Sequence, residues 1–239
     1  MGHSQPFVIV HMGYPPAALR SIIHDQPHWF RQTLGDGIKT TVVCPFLGES
    51  LPSSDQVKAV AITGSWSMVT DNEPWSERTA QWIRQLMADD VPLLGVCYGH
   101  QLMAKALGGE VNYHPAGAEV GQKTPQLHEG ALNDPLLEGF PAQFDAFLTH
   151  EQSVLTPPPN GRVLASSGHD QHQIIRYSSR ALSVQFHPEF SPLIMREIIK
   201  YRSQAKGIAP ENIPPLLDNI TDTPWSRLIL QRFAQHYAS

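Results

Sequence analysis

The sequence is poor in cysteine and in charged side chains, and it lacks any long apolar run. Charged residues make up 16% of the 239 residues, the formal net charge is −5, and no basic cluster stands out. We therefore expect no nucleic-acid partner and no binding to an anionic membrane surface. No run approaches the roughly 20 apolar residues that span a bilayer, and the first apolar run, residues 7–10, is too short for the core of a signal peptide. The expectation is a soluble, cytoplasmic protein with no membrane partner.

Cysteine occurs only twice, at Cys44 and Cys97. Two distant cysteines make no disulfide framework, and neither belongs to a Cys-x-x-Cys metal pair. Histidine is frequent, with 12 copies, but no pair of histidines is joined by a third ligand in sequence. The sequence therefore predicts no metal site and no organic cofactor. Cys44 precedes Pro45 at the end of a strand candidate, and we assign it to the core.

What the sequence does contain is an alternation of short apolar runs with amphipathic segments. Its hydrophobic fraction of 41% is enough for a buried core. Strand candidates lie at residues 7–11, 40–44, 59–63 and 92–97. Helix candidates lie at residues 17–34, 77–87, 98–107, 191–200 and 224–236. This alternation predicts an α/β fold, with an open and mostly parallel sheet flanked by helices.

The second half of the chain has a different character. From about Val111, short apolar runs alternate with Gly, Pro and Asn clusters, which predicts hairpins and a small antiparallel sheet. Residues 206–215 are expected to form a loop or a lid. Because no repeat or low-complexity linker divides the chain, we predict a single domain over residues 1–239, with a core at about 7–200 and a C-terminal loop and helix at 201–239.

The strongest chemical signal is GVCYGHQ at residues 95–101. An apolar strand candidate leads into Cys97 and a helical pattern follows it, which is the strand–nucleophile–helix order of a nucleophile elbow. Gly95 and Gly99 allow backbone segments to pass closely at such a sharp turn. The turn also places Cys97 at a helix N-terminus, where the dipole favours the thiolate. The alternative is an inert cysteine at the end of a core strand, which the two flanking glycines disfavour.

QFHPE at residues 185–189 offers a base and a group to orient it. Pro188 biases His187 towards an extended conformation, in which side chains two residues apart point the same way. Glu189 would then hold one imidazole nitrogen while the other faces the thiol. Taken alone, this segment would be an exposed turn. Together with Cys97 it predicts a triad of Cys97, His187 and Glu189.

Acyl transfer also requires hydrogen-bond donors for an oxyanion. Gly64 and Ser65 follow the third strand candidate, at the carboxyl edge of the expected sheet, where α/β folds usually carry their sites. A backbone N–H of Gly64 or Ser65, together with that of Tyr98, would make a two-donor oxyanion hole. An ordinary loop between a strand and a helix explains these residues equally well.

These motifs resemble those of the class I glutamine amidotransferases. Residues 95–101 are similar to the family's nucleophile motif, residues 185–189 to its triad-completing motif, and ITGS at residues 62–65 stands where the family has its oxyanion loop. The resemblance runs in the same order over about residues 7–200. It implies a flavodoxin-like open sheet and hydrolysis of the glutamine side-chain amide to glutamate and ammonia, through a γ-glutamyl thioester on Cys97.

The same resemblance implies the substrate-binding residues. FLTHEQSV at residues 147–154 resembles the segment that lines the family's glutamine pocket. Gln101, His150 and Glu151 would hold the α-amino and α-carboxyl groups of glutamine. This segment departs from the family's usual small residue and aspartate after the histidine, and the oxyanion loop lacks the commoner glycine-proline pair. Both departures bear on the identity of the substrate.

The function that these motifs imply is that of a stand-alone, GMP-synthase-like glutamine amidotransferase domain. The sequence has no phosphate-binding loop of the P-loop kind, so a synthase or acceptor partner would be a separate protein. Two alternatives stay open: a γ-glutamyl peptidase with the same triad, and a low-activity regulatory or binding partner. A thioesterase of the α/β-hydrolase type is disfavoured, because those enzymes place the acid before the histidine.

Overall fold

The computed structural model describes residues 5–208 and 210–238. Its strands are β1 (Phe7–Val10), β2 (Thr40–Val43), β3 (Ala59–Ile62), β4 (Leu93–Val96), β5 (Glu110–Tyr113), β6 (Glu119–Lys123), β7 (Gln126–Leu127), β8 (Ala146–His150), β9 (Gln152–Thr156), β10 (Arg162–Ser166), β11 (Ile174–Arg176) and β12 (Ala181–Val184). Its α-helices are α1 (Ala17–Ile23), α2 (Gln26–Leu34), α3 (Pro74–Ala88), α4 (Tyr98–Ala106), α5 (Pro192–Ala205) and α6 (Pro224–Ala238). The predicted domain limits, residues 1 and 239, lie outside the described residues, as does residue 209 of the predicted loop.

The described strands form one large sheet in the order β2-β1-β3-β4-β12-β11-β10-β7. Neighbours from β2 to β12 run parallel, whereas β11, β10 and β7 extend the sheet with antiparallel pairings. The predicted α/β class with a mostly parallel sheet is therefore confirmed. The antiparallel part differs in detail from the prediction: besides this extension it consists of two separate pairs, β5 with β9 and β6 with β8.

The central strands are apolar because both of their faces are covered. Every residue of β1, β3, β4 and β12 is buried, as expected for parallel strands between two helical layers. On one face, apolar side chains of α2 and α6 join the core. On the other face, α3 and α4 supply them. The site-bearing strand ends are thus held in a rigid, close-packed frame.

The predicted helix over residues 17–34 is two helices, α1 and α2. His24 has a positive φ of 66°, which ends α1. Asp25 then caps α2 by accepting a hydrogen bond from the N–H of His28 over 3.3 Å. Pro27 explains the break, since inside a continuous helix its ring would clash with the preceding turn and remove a hydrogen bond. The restart places Gln26 at the first position of α2.

The helix predicted at residues 98–107 is confirmed as α4, which ends one residue earlier, and the remaining helix predictions are confirmed with longer boundaries. Residues 77–87 fall within α3, 191–200 within α5 apart from the cap Ser191, and 224–236 within α6. The predicted loop at 206–215 contains short 3-10 turns at Pro210–Asn212 and Pro214–Leu216. None of the helices among the described residues is both long and apolar enough to cross a bilayer.

Candidate active site

Cys97 lies at the sharp turn between β4 and α4. Its backbone has φ 51° and ψ −100°, a region that costs a non-glycine residue about 1–3 kcal/mol and is concentrated at functional sites. A β-carbon at Gly95 would lie 2.6 Å from the carbonyl oxygen of Gly99, and one at Gly99 would lie 2.4 Å from that of Ile62. The prediction that both glycines permit close backbone passage is confirmed.

The pairing of β4 with β12 brings the two motifs together. The strands run parallel, with Val96 opposite Val184, so their carboxyl ends meet at one edge of the sheet. Cys97 follows β4 directly, and its N–H donates to the carbonyl oxygen of Val184 over 2.9 Å. His187 lies just beyond the end of β12, where its N–H donates to the carbonyl oxygen of Phe147 over 2.8 Å.

The His187 ring is held from two sides. Its Nδ1 donates to Oε1 of Glu189 over 2.7 Å, and the ring stacks on Phe190 with centroids 3.9 Å apart. Nε2 of His187 is buried and has no hydrogen-bond partner among the described residues. It is therefore the ring atom available to the thiol of Cys97. A thiol, an imidazole and a carboxylate in this order are the groups from which a catalytic triad is built.

The charges around His187 favour its protonated form. Burial by itself lowers the pKa of the ring, but the negative charges of Glu189 and of the Cys97 thiolate raise that pKa more, to about 10. A buried imidazolium between two anions is electrostatically compensated. A cationic imidazole beside a cysteine is the environment in which a thiol acts as a nucleophile.

Every predicted site residue except Glu189 lines one cavity. These residues are Gly64, Ser65, Cys97, Tyr98, Gln101, His150, Glu151 and His187. Gly64 lies so close to the triad that a β-carbon there would be 2.9 Å from Cε1 of His187 and 3.6 Å from Cβ of Cys97. A side chain at position 64 would thus occupy the space between nucleophile and base.

Of the predicted substrate-binding residues, Gln101 and His150 are engaged with their own surroundings. Nε2 of Gln101 donates to the carbonyl oxygen of Gln152 over 2.6 Å and to Oε1 of Gln185 over 3.1 Å. Nε2 of His150 faces Oε2 of the buried Glu119 over 3.0 Å, and its Nδ1 faces the same Gln152 carbonyl over 2.9 Å. Among the described residues the side-chain hydrogen bonds of Gln101 all come from its Nε2, so its amide oxygen can accept from a ligand, whereas His150 holds the turn after β8 in place.

Glu151, by contrast, presents its carboxylate at the cavity wall beside a guanidinium. Nη2 of Arg202, near the end of α5, donates to Oε1 of Glu151 over 2.7 Å, and Arg202 also lines the cavity. The neighbouring Gln152 points elsewhere: its amide donates to Oγ1 of Thr70 over 2.6 Å. Glu151 and Arg202 together offer one negative and one positive group to a ligand.

Sequence reasoning did not identify Arg202 or Gln26, which also lines the cavity. Neither residue belongs to a motif, and each reaches the cavity only through the packing of its helix. Pro27 lies in the first turn of α2, a position typical of proline, so the sequence did indicate the start of a helix near Gln26. Nothing local in the sequence indicates Arg202. In the part of the chain that the structure describes, no group of three or more His, Cys, Asp or Glu residues is placed to hold a metal ion.

Comparisons with known proteins agree with the fold and with the motifs. Residues 38–200 match the family model of glutamine amidotransferase class-I. A glutamine-hydrolysing GMP synthase from Aeropyrum pernix is 34% identical over 143 residues, which are 60% of this chain but 26% of that protein. The chain therefore matches only about a quarter of the length of that relative.

Two further proteins are matched over most of their length. One subunit of a glutamine-hydrolysing GMP synthase from Archaeoglobus fulgidus is 32% identical over 164 residues, which are 68% of this chain and 82% of that protein. The crystal structure of a glutamine amido transferase from Methylobacillus flagellatus superposes with a TM-score of 0.80 over 98% of this chain and 95% of that one, at 23% identity. This structural likeness supports the fold, while the family model and the Archaeoglobus protein carry the assignment of family. The chain belongs to the class I glutamine amidotransferase family.

Proposed function

We propose that the chain hydrolyses the side-chain amide of glutamine to glutamate and ammonia, through a γ-glutamyl thioester on Cys97. The observation that supports this function best is the strained Cys97 at the start of α4, beside a His187 whose Nδ1 is hydrogen-bonded to Glu189 over 2.7 Å. A thiolate at a helix N-terminus next to an imidazolium is a strong nucleophile for a carbonyl carbon.

The proposed steps need only the triad and one water. Sγ of Cys97, whose proton has passed to Nε2 of His187, attacks the γ-carbonyl carbon. The tetrahedral intermediate collapses, the C–N bond breaks, and His187 returns the proton to the leaving nitrogen, which departs as ammonia. Water then gives a proton to His187 and attacks the thioester, and glutamate leaves as the thiol is restored. Glu189 keeps the ring oriented throughout.

Two backbone N–H groups would stabilise the oxyanion. Tyr98 is the first residue of α4, so its N–H has no acceptor within the helix and lies next to the nucleophile. The N–H of Gly99 is already used, since it donates to the carbonyl oxygen of Thr63 over 3.2 Å. The second donor would come from Gly64 or Ser65, at the end of β3.

The α-amino and α-carboxylate groups of the substrate would meet Glu151, Arg202 and Gln101. The carboxylate of Glu151 suits the ammonium, the guanidinium of Arg202 suits the carboxylate, and the free oxygen of Gln101 can accept from the ammonium. His150 would act through the turn that it holds. This pairing selects substrates with a free amino-acid head group.

The ammonia acceptor is proposed to belong to a separate synthase. This proposal rests on the likeness to a protein that is named as one subunit of a GMP synthase. It predicts that a partner raises glutaminase activity or captures the ammonia. Glutaminase activity of the purified chain should be compared with and without a GMP synthase protein from the same source. Activity that is unchanged, together with no complex in size-exclusion chromatography, would exclude that synthase as the partner.

A γ-glutamyl peptide is the second candidate substrate, and one observation favours it. Arg202 lines a second cavity beside the first, together with Lys123 and Lys206. This space next to the proposed head-group site offers room and positive charge for a larger, anionic substrate.

The deciding experiment measures release of glutamate, ammonia or amine from glutamine, γ-glutamyl dipeptides and glutathione, with Cys97→Ala as the control. Cys97-dependent cleavage of glutamine supports the glutaminase, and a clear preference for the peptides supports the peptidase. If no substrate is cleaved, a glutamine-like electrophile should be tested for labelling of Cys97. Labelling without turnover would support the regulatory alternative or a site that awaits its partner, and absence of labelling would contradict the triad.

A further inference from the structure

Five buried polar side chains are connected behind the wall of the active-site cavity. Two of them, Gln101 and His150, line the cavity. The other three, Glu119, Gln173 and Gln185, are 4%, 0% and 0% exposed and are not among the cavity-lining residues. Any effect of these three side chains on a substrate must therefore pass through Gln101 or His150.

Glu119 is the acidic end of this network. Its Oε2 lies 3.0 Å from Nε2 of His150 and accepts a hydrogen bond from Nε2 of Gln173 over 3.1 Å. Because a carboxylate oxygen accepts from an amide NH2, Gln173 must turn its nitrogen towards Glu119. The amide oxygen of Gln173 is then left for another donor.

Gln173 and Gln185 lie directly opposite each other on neighbouring segments. The N–H of Gln185 donates to the carbonyl oxygen of Gln173 over 2.9 Å, which continues the register of β11 against β12. Side chains of directly opposed residues lie on the same face of a sheet. Oε1 of Gln173 and Nε2 of Gln185 are both buried and have no partner among the described residues. One is an acceptor and the other a donor, so the two amides are complementary.

The same direction of donation continues to Gln101. Nε2 of Gln101 donates to Oε1 of Gln185 over 3.1 Å and to the carbonyl oxygen of Gln152 over 2.6 Å. Because both of these neighbours are acceptors, the amide of Gln101 has a single favourable orientation, with its own oxygen on the remaining side. Each amide on the path from Glu119 to Gln101 thus determines the orientation of the next.

A second branch leads from Glu119 to the turn that carries Glu151. Nδ1 of His150 lies 2.9 Å from the carbonyl oxygen of Gln152. A carbonyl oxygen only accepts, so Nδ1 carries a hydrogen and Nε2 is the ring atom that faces Glu119. Both branches meet at the Gln152 oxygen, and they end at Gln101 and Glu151, which line the cavity.

We propose that Glu119 is a positioning residue, which determines through Gln173 and Gln185 that the oxygen of the Gln101 amide faces the substrate. That oxygen then accepts from the substrate ammonium, whereas a reversed amide would present its NH2, a second donor. This role rests on the proposed hydrolysis of a γ-glutamyl amide. It adds a determinant of specificity for a free amino-acid head group, and Glu119 itself does not touch the substrate.

Two substitutions interrupt the path without entering the cavity. Glu119→Gln offers either a C=O or an NH2 where Oε2 serves both His150 and Gln173, so one of the two contacts is lost. Gln173→Met keeps the length of the side chain but cannot donate to Glu119. A head-group contact is made in the ground state and the transition state alike, so we expect KM for glutamine to rise about tenfold in both variants, with kcat changed by less than about threefold.

Glu110→Gln is the matched control, because it removes the same charge from an exposed side chain of β5 outside the cavity. It should leave KM unchanged, and a rise equal to that of Glu119→Gln would contradict the proposal. A merely structural role of Glu119 would reduce the amount of active protein, and hence the apparent kcat, at constant KM. Unchanged KM in both Glu119→Gln and Gln173→Met would therefore overturn the positioning role.

The side-chain amide of Gln101 gives a readout independent of turnover. Its NMR signals, assigned by their loss in Gln101→Met, should exchange slowly with solvent in the wild-type protein, because the NH2 donates to two buried acceptors. Faster exchange in Glu119→Gln or Gln173→Met, and not in Glu110→Gln, supports the proposal, and unchanged exchange overturns it. If the wild-type protein cleaves no γ-glutamyl amide, the proposed function fails, while this comparison still decides the role of Glu119.

Discussion

Arg202 donates a hydrogen bond of 2.7 Å to Glu151 at the wall of the cavity that contains Cys97. The two side chains are 17% and 40% exposed, and partly exposed ion pairs contribute about 0–1 kcal/mol to stability. Their contribution to folding is therefore small. What the pair does provide is two opposite charges side by side, the arrangement that complements an amino-acid head group.

Substitution of this pair is expected to weaken substrate binding. Glu151→Gln removes the proposed partner of the substrate ammonium, and Arg202→Met removes the proposed partner of its carboxylate. Because a hydrogen bond to a charged group contributes about 1.5–3 kcal/mol, each variant should raise KM for glutamine about tenfold or more, with a smaller effect on kcat. Steady-state kinetics across a glutamine series measures both constants.

The matched control is an ion pair on the same helix. Lys200 and Glu197 are joined over 2.7 Å and are 44% and 17% exposed, but neither lines the cavity. Lys200→Met and Glu197→Gln should leave KM unchanged. If they raise KM as much as the changes at Glu151 and Arg202 do, the effect comes from α5 as a whole and the head-group assignment is wrong.

The local parts of the site are those that the sequence predicts well. The elbow at Cys97 is defined by two glycines and an apolar strand within a few residues, and His187 and Glu189 are two positions apart on one segment. Such short-range constraints can be read from residue type and spacing. The strands β1, β3 and β4 could be predicted equally well from the sequence, because a fully buried strand is apolar throughout.

The parts that depend on packing between distant segments were not predictable. The register of Val96 against Val184 brings the motifs together, and no local pattern encodes it. Arg202 reaches the cavity because α5 packs near the turn that holds Glu151. The break between α1 and α2 was missed for a different reason: the apolar spacing continued through it, although Asp25 and Pro27 are ordinary signals for a new helix.

The two cysteines are expected to differ in reactivity. Burial, and to a smaller extent the nearby charges of Glu49 and Asp25, raise the pKa of the Cys44 thiol, so less thiolate is present there, whereas Cys97 lies beside a cationic His187. With iodoacetamide at neutral pH, Cys97 should be alkylated at least about tenfold faster than Cys44. Peptide mass spectrometry over a time course gives both rates. Cys44→Ser should leave the fast phase intact, and faster alkylation of Cys44 would contradict the proposed ion pair.

The alkaline limb of the pH–activity profile should depend on Glu189. The imidazolium form of His187 exists below the pKa of the ring and is lost as the pH rises through that value, about 10. Glu189→Gln removes a negative charge that raises this pKa, so the limb should move to lower pH, and kcat should fall as the ring loses its orientation. Profiles of kcat/KM for both proteins from about pH 6 to pH 11 test this. An alkaline limb at the same pH in both would exclude Glu189 as the source of the shift.

Gly99→Ala should destabilise the protein although alanine is the better helix former. Alanine favours a helix by about 1 kcal/mol over glycine, but its β-carbon would lie 2.4 Å from the backbone oxygen of Ile62, and overpacking of this kind costs about 1–3 kcal/mol or more. We expect a net loss of about 1–2 kcal/mol, or roughly 2–8 °C in Tm. Gly37→Ala is the control, since nothing lies within 4 Å of its added carbon.

The same substitution is expected to lower activity. Because the N–H of Gly99 also holds the carbonyl oxygen of Thr63, the strain would move the oxyanion loop, and kcat should fall in the folded Gly99→Ala variant. A variant as stable and as active as the wild type would show that α4 can shift away from β3 without disturbing the site.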